Sequence, residues 1–306
     1  MNIASIDIGT NTVLLLIAEI NGEKIVPLQN EYRMPRLGKG LTPGGNIRED
    51  RIEELLKILE EYSRHINKYN CQAVIVCATS AMRIASNSSE IIQKVYGQTG
   101  IKINVISGEE EARLSFLGAI SAGQPNLPKM VIDVGGGSTE IIYGDNDEVF
   151  FSKSYRIGTV SLTEKFLKSN PPLTEELEEM NNYISLTFDE LANIIKQPAE
   201  VIAVAGTPTS ISCINQNLKE YNEEKVENSI VTSEEIEKLI KVMEGITSEE
   251  ILNRFGNVVK GRNDVILSGA CILHNLLRTC SFSEMTVSGK GIRYGAVADY
   301  IRKINK

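Results

Sequence analysis

Two segments of this chain run from an apolar stretch into an aspartate and then turn on glycine and small hydroxyl residues. The first is Ile6-Asp7-Ile8-Gly9-Thr10-Asn11-Thr12. The second is Ile132-Asp133-Val134-Gly135-Gly136-Gly137-Ser138-Thr139-Glu140. A tight turn of this composition points backbone N–H groups and hydroxyls into one concavity. Such a nest binds phosphate oxygens, and a nearby aspartate can hold Mg²⁺ or a metal-bound water. The same residues also suit an ordinary Asx-capped hairpin turn. Consecutive glycines cost conformational entropy and make sense where the main chain must come close to a ligand. The recurrence says more than either copy does. Two phosphate-gripping turns imply a substrate with several phosphates, held in a cleft between two similar domains.

Acid–base chemistry has a candidate in Ser107-Gly108-Glu109-Glu110-Glu111-Ala112-Arg113-Leu114. Carboxylates that open a helix are favoured by its dipole and can be simple solvated capping. One aimed into a phosphate site can instead take the proton of an attacking water, and clustered acids raise one another's pKa. Ala78-Thr79-Ser80-Ala81-Met82-Arg83 brings an arginine to a strand end, where ligands of α/β sheets sit, and arginine grips phosphate bidentately; a surface ion pair is the alternative. Weaker candidates are Arg36 in Arg36-Leu37-Gly38-Lys39-Gly40, Gly206-Thr207-Pro208-Thr209, Arg262 with Asp264, and Ser288-Gly289-Lys290-Gly291.

The elements that must position these groups follow from periodicity. Strands are expected at Ile3 to Ile8, Val13 to Ile20 and Lys24 to Asn30, with Asn21-Gly22 a hairpin signal. Leucines, isoleucines and a tyrosine from Ile52 to Ile66 recur at helical spacing. A strand at Ala73 to Cys77, a helix at Ser89 to Tyr96 closed by Gly97, a strand at Ile101 to Ile106 and a helix at Glu109 to Ile120 follow. Ala122 to Asn126 reads as a linker. Then the opening pattern returns, with strands at Met130 to Val134, Ile141 to Tyr143 and Val149 to Ser154 and a turn at Asp145-Asn146-Asp147. The remainder reads as helix from Leu173 to Ile195, strand from Val201 to Ala205 and helix from Ser233 to Met243. A helix from Asp264 to Leu277, a strand from Met285 to Ser288 and a last helix from Gly291 to Ile304 complete it. Strand–helix alternation after a meander suggests a mixed sheet with helices on its faces, and the repeat has the size of a domain.

Composition removes several other classes. With 306 residues, 42% hydrophobic and 24% charged, the chain has the make-up of a globular protein with room for two domains. A net charge of −8 offers no global basic field for nucleic acid. The apolar runs are strand-sized, so no membrane span is expected, and the N-terminus lacks the sections of a signal peptide. Five cysteines without a Cys-x-x-Cys pair fit free thiols in a cytoplasmic setting. Two unclustered histidines make a His-based zinc site or a Ser-His-Asp triad unlikely. Any metal is expected to be a hard, oxygen-liganded one.

Taken together, the segments at 6–12, 78–83, 107–114 and 131–140, with Gly206-Thr207, Arg262-Asn263-Asp264 and Val287-Ser288-Gly289-Lys290-Gly291-Ile292-Arg293-Tyr294-Gly295, resemble the exopolyphosphatase / guanosine pentaphosphate phosphohydrolase family. They occur in the family's order and run almost from end to end. The resemblance implies an α/β protein of the actin/hexokinase/Hsp70-like fold, with two ribonuclease-H-like domains around a central cleft. Their expected extents are 1–124 and 125–306, with a C-terminal helix at about 291–306 packing back on the first. It implies Mg²⁺-dependent release of orthophosphate from polyphosphate, or of the γ-phosphate of guanosine pentaphosphate. Glu111 is then the catalytic base. Gly9, Thr10, Asn11, Thr12, Arg83, Gly135, Gly136, Gly137, Ser138 and Thr139 bind phosphate. Asp7, Asp133 and Glu140 surround the metal and the water, which gives Glu140 a share in catalysis.

Where the family's first loop often reads Gly-Ser-Asn-Ser followed by an arginine or another polar residue, this chain has Gly9-Thr10-Asn11-Thr12-Val13. It also ends where longer members carry further helical domains, so a short two-domain member acting on short chains is expected. A homodimer is expected as the commonest symmetric oligomer. The alternatives are an ATP-dependent kinase of the same fold and a binding module that holds guanosine penta- or tetraphosphate without turnover.

Overall fold

A computed structural model describes residues 1–22, 24–120, 127–145, 149–195 and 200–304. These residues form two compact units. One comprises Met1–Gly118 and the segment from Lys290 onward, and the other Ala119–Gly289. The expected boundary at 124/125, the linker from Ala122 to Asn126, and Asn146 and Asp147 of the expected turn lie outside the described residues.

In the first unit, β1 (Asn2–Ile8), β2 (Val13–Asn21) and β3 (Lys24–Arg33) form an antiparallel meander. There follow α1 (Glu49–Lys68), β4 (Ala73–Ala78), α2 (Ser80–Ile84), α3 (Ser88–Thr99), β5 (Asn104–Val105) and α4 (Gly108–Ala119). β4 runs parallel to β1 and β5 parallel to β4, so the sheet order is β3-β2-β1-β4-β5. Side chains alternate across a strand. Ala4, Ile6 and Ile8 therefore face Leu55, Leu59 and Tyr62 of α1. Ile3 faces the other way, onto a C-terminal helix. By the same alternation Asp7 belongs to that second face. Tyr62 is fully buried in the first cluster, and its hydroxyl donates to the Val13 carbonyl at 2.9 Å; burial raises its pKa well above the usual phenol value.

The second unit repeats the plan. β6 (Lys129–Val134), β7 (Thr139–Gly144) and β8 (Val149–Tyr155) are an antiparallel meander, followed by α5 (Thr159–Phe166), α6 (Thr174–Phe188) and α7 (Leu191–Ile194). Then come β9 (Glu200–Val204), α8 (Gly206–Asn215), α9 (Glu223–Val226), β10 (Ser229–Thr232), α10 (Ser233–Met243), α11 (Ser248–Phe255), α12 (Ile266–Thr279) and β11 (Glu284–Val287). β9 is parallel to β6 and β11 parallel to β9, which gives β8-β7-β6-β9-β11, with β10 added antiparallel on the outer edge. Apart from that extra strand, the order and directions match those of the first sheet. Met130, Ile132 and Val134 face a core built with α6 and α12. α13 (Ile292–Ile304) belongs to the first unit, where Tyr294, Val297 and Ile301 pack on Ile3, Leu16 and Ala18.

Several expected elements differ in extent. α3 passes through Gly97, where a side chain would meet open space, and ends instead at Gly100, which takes the left-handed conformation of a helix cap (φ 72°). The expected strand from Ile101 to Ile106 is paired only at Asn104 and Val105, against Cys77 and Ala78 at the end of β4. The long helix expected from Leu173 to Ile195 breaks at Asp189 and Glu190 into α6 and α7. α12 starts at Ile266, two residues after Asp264.

The Tyr62 hydroxyl gives a direct test of this packing. Tyr62→Phe keeps the ring and removes one buried hydrogen bond, so urea denaturation should show a loss of about 1 kcal/mol, whereas Tyr62→Ala should lose about 3–5 kcal/mol.

Candidate active site

In the first unit, Asp7 is the next-to-last residue of β1, before Ile8, which pairs with Val13 across the turn. The turn is tied by Gly9 N–H donating to the Thr12 carbonyl at 2.8 Å. The glycine-rich loop after β3 folds onto it. Arg36 N–H donates to the Asn11 carbonyl at 3.1 Å and Gly38 N–H to the Thr10 carbonyl at 2.8 Å. A Cβ on Gly38 would stand 2.1 Å from Thr10 Cγ2, so only glycine allows this approach. Arg36 itself adopts φ 54°, unusual for a residue with a side chain, and the two hydrogen bonds at its loop hold it there. Arg36, a weak candidate on sequence, is thus placed against the Gly9 to Thr12 turn.

Arg83 and Glu111 come together from different elements. β4 ends at Ala78, Thr79 N–H donates to the Ile8 carbonyl at 3.0 Å, and α2 then carries Arg83. Arg83 Nη1 donates to the Ile106 carbonyl at 2.9 Å and to Glu111 Oε2 at 2.7 Å. Glu111 lies in the first turn of α4, where Ser107 accepts at its Oγ the N–H of Glu110, 3.1 Å away. Of the three carboxylates that open the helix, Glu109 is exposed and Glu110 half-buried, whereas Glu111 is 5% exposed. The helix turns about 100° per residue, so three consecutive glutamates cannot share one environment. Glu110 is instead held by Arg113, whose hydrogen bonds keep its carboxyl below the usual range. Cys77, paired with Asp7 across β1 and β4, has its thiol pushed up to about 12 by burial and then by the charges of Asp7, Glu110, Glu111 and Asp299. It is therefore no thiolate nucleophile near neutral pH, and its surroundings show that Asp7 and Glu111 share one acidic neighbourhood.

In the second unit, Gly135 N–H donates to the Ser138 carbonyl at 2.9 Å, closing the glycine turn. The first turn of α5 docks on it. Thr159 N–H donates to the Gly135 carbonyl at 3.0 Å, and Val160 and Ser161 donate to the Gly136 carbonyl at 2.8 and 3.1 Å. A Cβ on Gly158 would lie 2.6 Å from the Gly136 carbonyl and 2.7 Å from Gly137 N. Thr139 is fully buried and its hydroxyl donates to the Ile157 carbonyl at 2.6 Å, so in this structure it fastens the loop to the chain before α5. Ser138 is buried beside it.

Asp133 and Glu140 are directly opposite in the β6–β7 register and so share one face of the sheet. Asp133 is 7% exposed, and the fully buried Glu140 accepts a hydrogen bond from Ser154 Oγ at 2.6 Å. Two carboxylates side by side are suitable donors for a hard cation. Among the described residues no group of three or more His, Cys, Asp or Glu is gathered as a metal cage. A divalent ion here would complete its shell with waters and substrate oxygens, as Mg²⁺ commonly does.

The weaker candidates also find places. Gly206 opens α8 so close to Arg262 that a Cβ would be 2.1 Å from Nη1, and Arg262 Nη1 donates to Ser210 Oγ at 3.2 Å. Thr207 Oγ1 lies 2.5 Å from where a Cβ on Gly269 would be. Ser288 Oγ and Gly289 N–H both donate to Glu227, at 2.9 and 2.8 Å. Asp264 lies in the turn before α12. Sequence reasoning missed Gly158, Glu227 and Asp299. Gly158 alone left a signal, a glycine just ahead of Thr159 where a helix can begin.

Paired sheets with a shared strand order, each with an aspartate and a hairpin turn at the end of its central strand, define the actin-like class of two-domain α/β proteins, with ribonuclease-H-like domains. Residues 16–304 match the Ppx/GppA phosphatase family, and the chain belongs to it. It is 34% identical over 309 residues to the bifunctional 3-dehydroquinate synthase/phosphatase of Fusobacterium nucleatum, covering 97% of this chain but only 46% of that protein. It is 30% identical over 311 residues to exopolyphosphatase 2 of Mycobacterium tuberculosis, covering 96% of each chain. The solved Ppx/GppA family member of Aquifex aeolicus superposes with a TM-score of 0.85 at 33% identity, over 100% of this chain and 99% of that one.

Gly158→Ala should push the glycine turn off α5 and cost about 1–3 kcal/mol in urea denaturation. Gly245→Ala, where a Cβ meets nothing within 4 Å, is the control and should stay within about 0.5 kcal/mol of wild type.

Proposed function

We propose that the protein is a phosphoanhydride hydrolase that releases orthophosphate from the end of inorganic polyphosphate, preferring short chains, and that it converts guanosine pentaphosphate to the tetraphosphate as a second activity. The observation that carries this reading is the buried Glu111 carboxylate held 2.7 Å from Arg83. Membership in a phosphatase family supports the reaction class.

In this reading Glu111 accepts the proton of a water as its oxygen forms a bond to the terminal phosphorus. The anhydride P–O bond opposite breaks, and its electron pair leaves on the shortened chain. Because phosphoryl transfer is mainly positioning and electrostatics, no covalent nucleophile is needed. Arg83 meets equatorial phosphate oxygens while its hold on the Ile106 carbonyl keeps it anchored. The turns Gly9 to Thr12 and Gly135 to Ser138 present main-chain N–H groups to phosphate oxygens, and Thr139 keeps the second turn in place. Asp133 and Glu140 would be the oxygen donors for Mg²⁺ in the second unit, and Asp7 would be one in the first. When bound, Mg²⁺ supplies neutralisation of phosphate charge. Ser154, which donates to Glu140, would hold that carboxylate in place for the ion.

The five cysteines are free and four of them are buried, which fits a reducing, cytoplasmic setting. Among the described residues no helix is long and apolar enough to cross a membrane.

Orthophosphate release should be measured with triphosphate, short and long polyphosphate, guanosine pentaphosphate and ATP, with Mg²⁺ present. Glu111→Gln should lower kcat about 10²–10⁴-fold on the preferred substrate with little change in KM. Chelation should abolish release and added Mg²⁺ should restore it. No release from any of these substrates by folded wild type would refute the hydrolase, and transfer from ATP to an added acceptor would favour a kinase.

Arg83→Ala is expected to be less specific in effect. It should raise KM for every phosphate chain and lower kcat as well, because it removes a phosphate contact and the partner of Glu111 together. A fall in kcat alone would show that Arg83 serves only Glu111.

A further inference from the structure

We propose that α13 is a positioning element for Glu111 and that Asp299 is the residue through which it acts; the inference rests on Glu111 being the base of the proposed reaction. α13 and α4 touch backbone to backbone. A Cβ on Gly295 would stand 1.7 Å from the Leu114 carbonyl oxygen, and one on Gly118 would stand 2.3 Å from the Gly291 carbonyl oxygen. Two glycines thus let the helices approach at two points along α4, which fixes its height and tilt.

A chain of charges fixes its rotation. Arg113 grips Glu110 with Nε and Nη2 at 2.7 and 2.8 Å, and its Nη1 donates to Asp299 Oδ1 at 2.8 Å. Lys303 takes the other oxygen of Asp299 at 2.6 Å. Burial alone would raise the Asp299 pKa, yet these two cations hold its carboxyl below the usual range. The geometry, with the side chain only 14% exposed, makes this the inner anchor of the chain. Arg113 is held in turn by both carboxylates, Glu110 first, which raise its pKa.

Glu110 and Arg113 lie one turn apart on one stripe of α4, and Glu111 follows Glu110 by about 100°. Fixing that stripe sets the direction of Glu111. A helix rotation of about 10° would move a carboxylate ~6 Å from the axis by about 1 Å. Displacements of that size can cost about 10²-fold in rate. Asp299 touches no reacting atom in this scheme and is a positioning residue.

The test is Asp299→Ala in the full-length protein, read with the best substrate found above. The expected result is a fall in kcat of about 10- to 100-fold with KM within about twofold. Asp299→Glu, whose carboxylate can still meet Arg113, should recover most of the loss. In a Glu111→Gln background, Asp299→Ala should cost nothing further, because the base it positions is gone. Hydrogen exchange over residues 108–113 should quicken in the variant. Unchanged kcat, or an equal fractional loss in the Glu111→Gln background, overturns the proposal. Should the wild type release no orthophosphate at all, it is the hydrolase reading that fails, and unchanged exchange over residues 108–113 then overturns the clamp by itself. If Asp299→Ala does not fold, Asp299→Asn keeps the shape, removes the charge, and is read in the same way.

Discussion

A carboxylate stays charged in a protein interior only where a cation or donors meet it. The Arg83–Glu111 pair satisfies that condition, and much of the first unit serves to bring its members together. Arg83 reaches the site because β4 ends beside β1, where Thr79 N–H is captured by the Ile8 carbonyl and the chain turns at once into α2. Glu111 reaches it because the chain after β5 turns into α4 at Ser107. The second bond of Arg83, to the Ile106 carbonyl, joins the two routes. One guanidinium therefore ties α2, which follows β4, to Ile106 just after β5 and to the start of α4.

The frame was largely legible in the sequence, and the reason is periodicity. Ile3, Ala4, Ile6 and Ile8 alternate between two faces that are both covered, and α1 carries its apolar stripe from Ile52 to Ile66 as the spacing required. The meander, the crossover helix and the parallel strand all followed. Boundaries were less legible where tertiary pairing decides them. Ile101 and Ile103 look like strand residues, but the ladder there is two residues long. Asp189 and Glu190 interrupt a helical pattern that the apolar positions alone would continue. In the site, residue types could place three adjacent glutamates at a helix start and could not separate them. Their separation comes from the rotation of α4 against α13 and from Arg113, a contact between residues 186 positions apart. Glu227 was missed for the same reason: it matters through its hold on Ser288 and Gly289, and no local pattern records that.

The two units solve one problem in two ways. A peptide is planar and trans, so holding its carbonyl on one side turns the following N–H to the other. In the first unit the carbonyls of Thr10 and Asn11 are held by Gly38 and Arg36, from a loop that follows β3. In the second, the carbonyls of Gly135 and Gly136 are held by the first N–H groups of α5, which also follows its β8. The brace therefore occupies the same position in the repeat, directly after the third strand, yet is a loop in one copy and a helix in the other. A helix end that commonly binds an anion directly is here used on main-chain carbonyls. Its polarity is passed on through the loop rather than presented at α5 itself. Each brace demands a glycine where it touches its turn, Gly38 against Thr10 and Gly158 against Gly136. The common constraint is thus the orientation of a few peptide groups at the end of a central strand. The aspartate beside each turn, Asp7 or Asp133, is placed by the same strand end, so the turn's peptide groups and the carboxylate are delivered by one element.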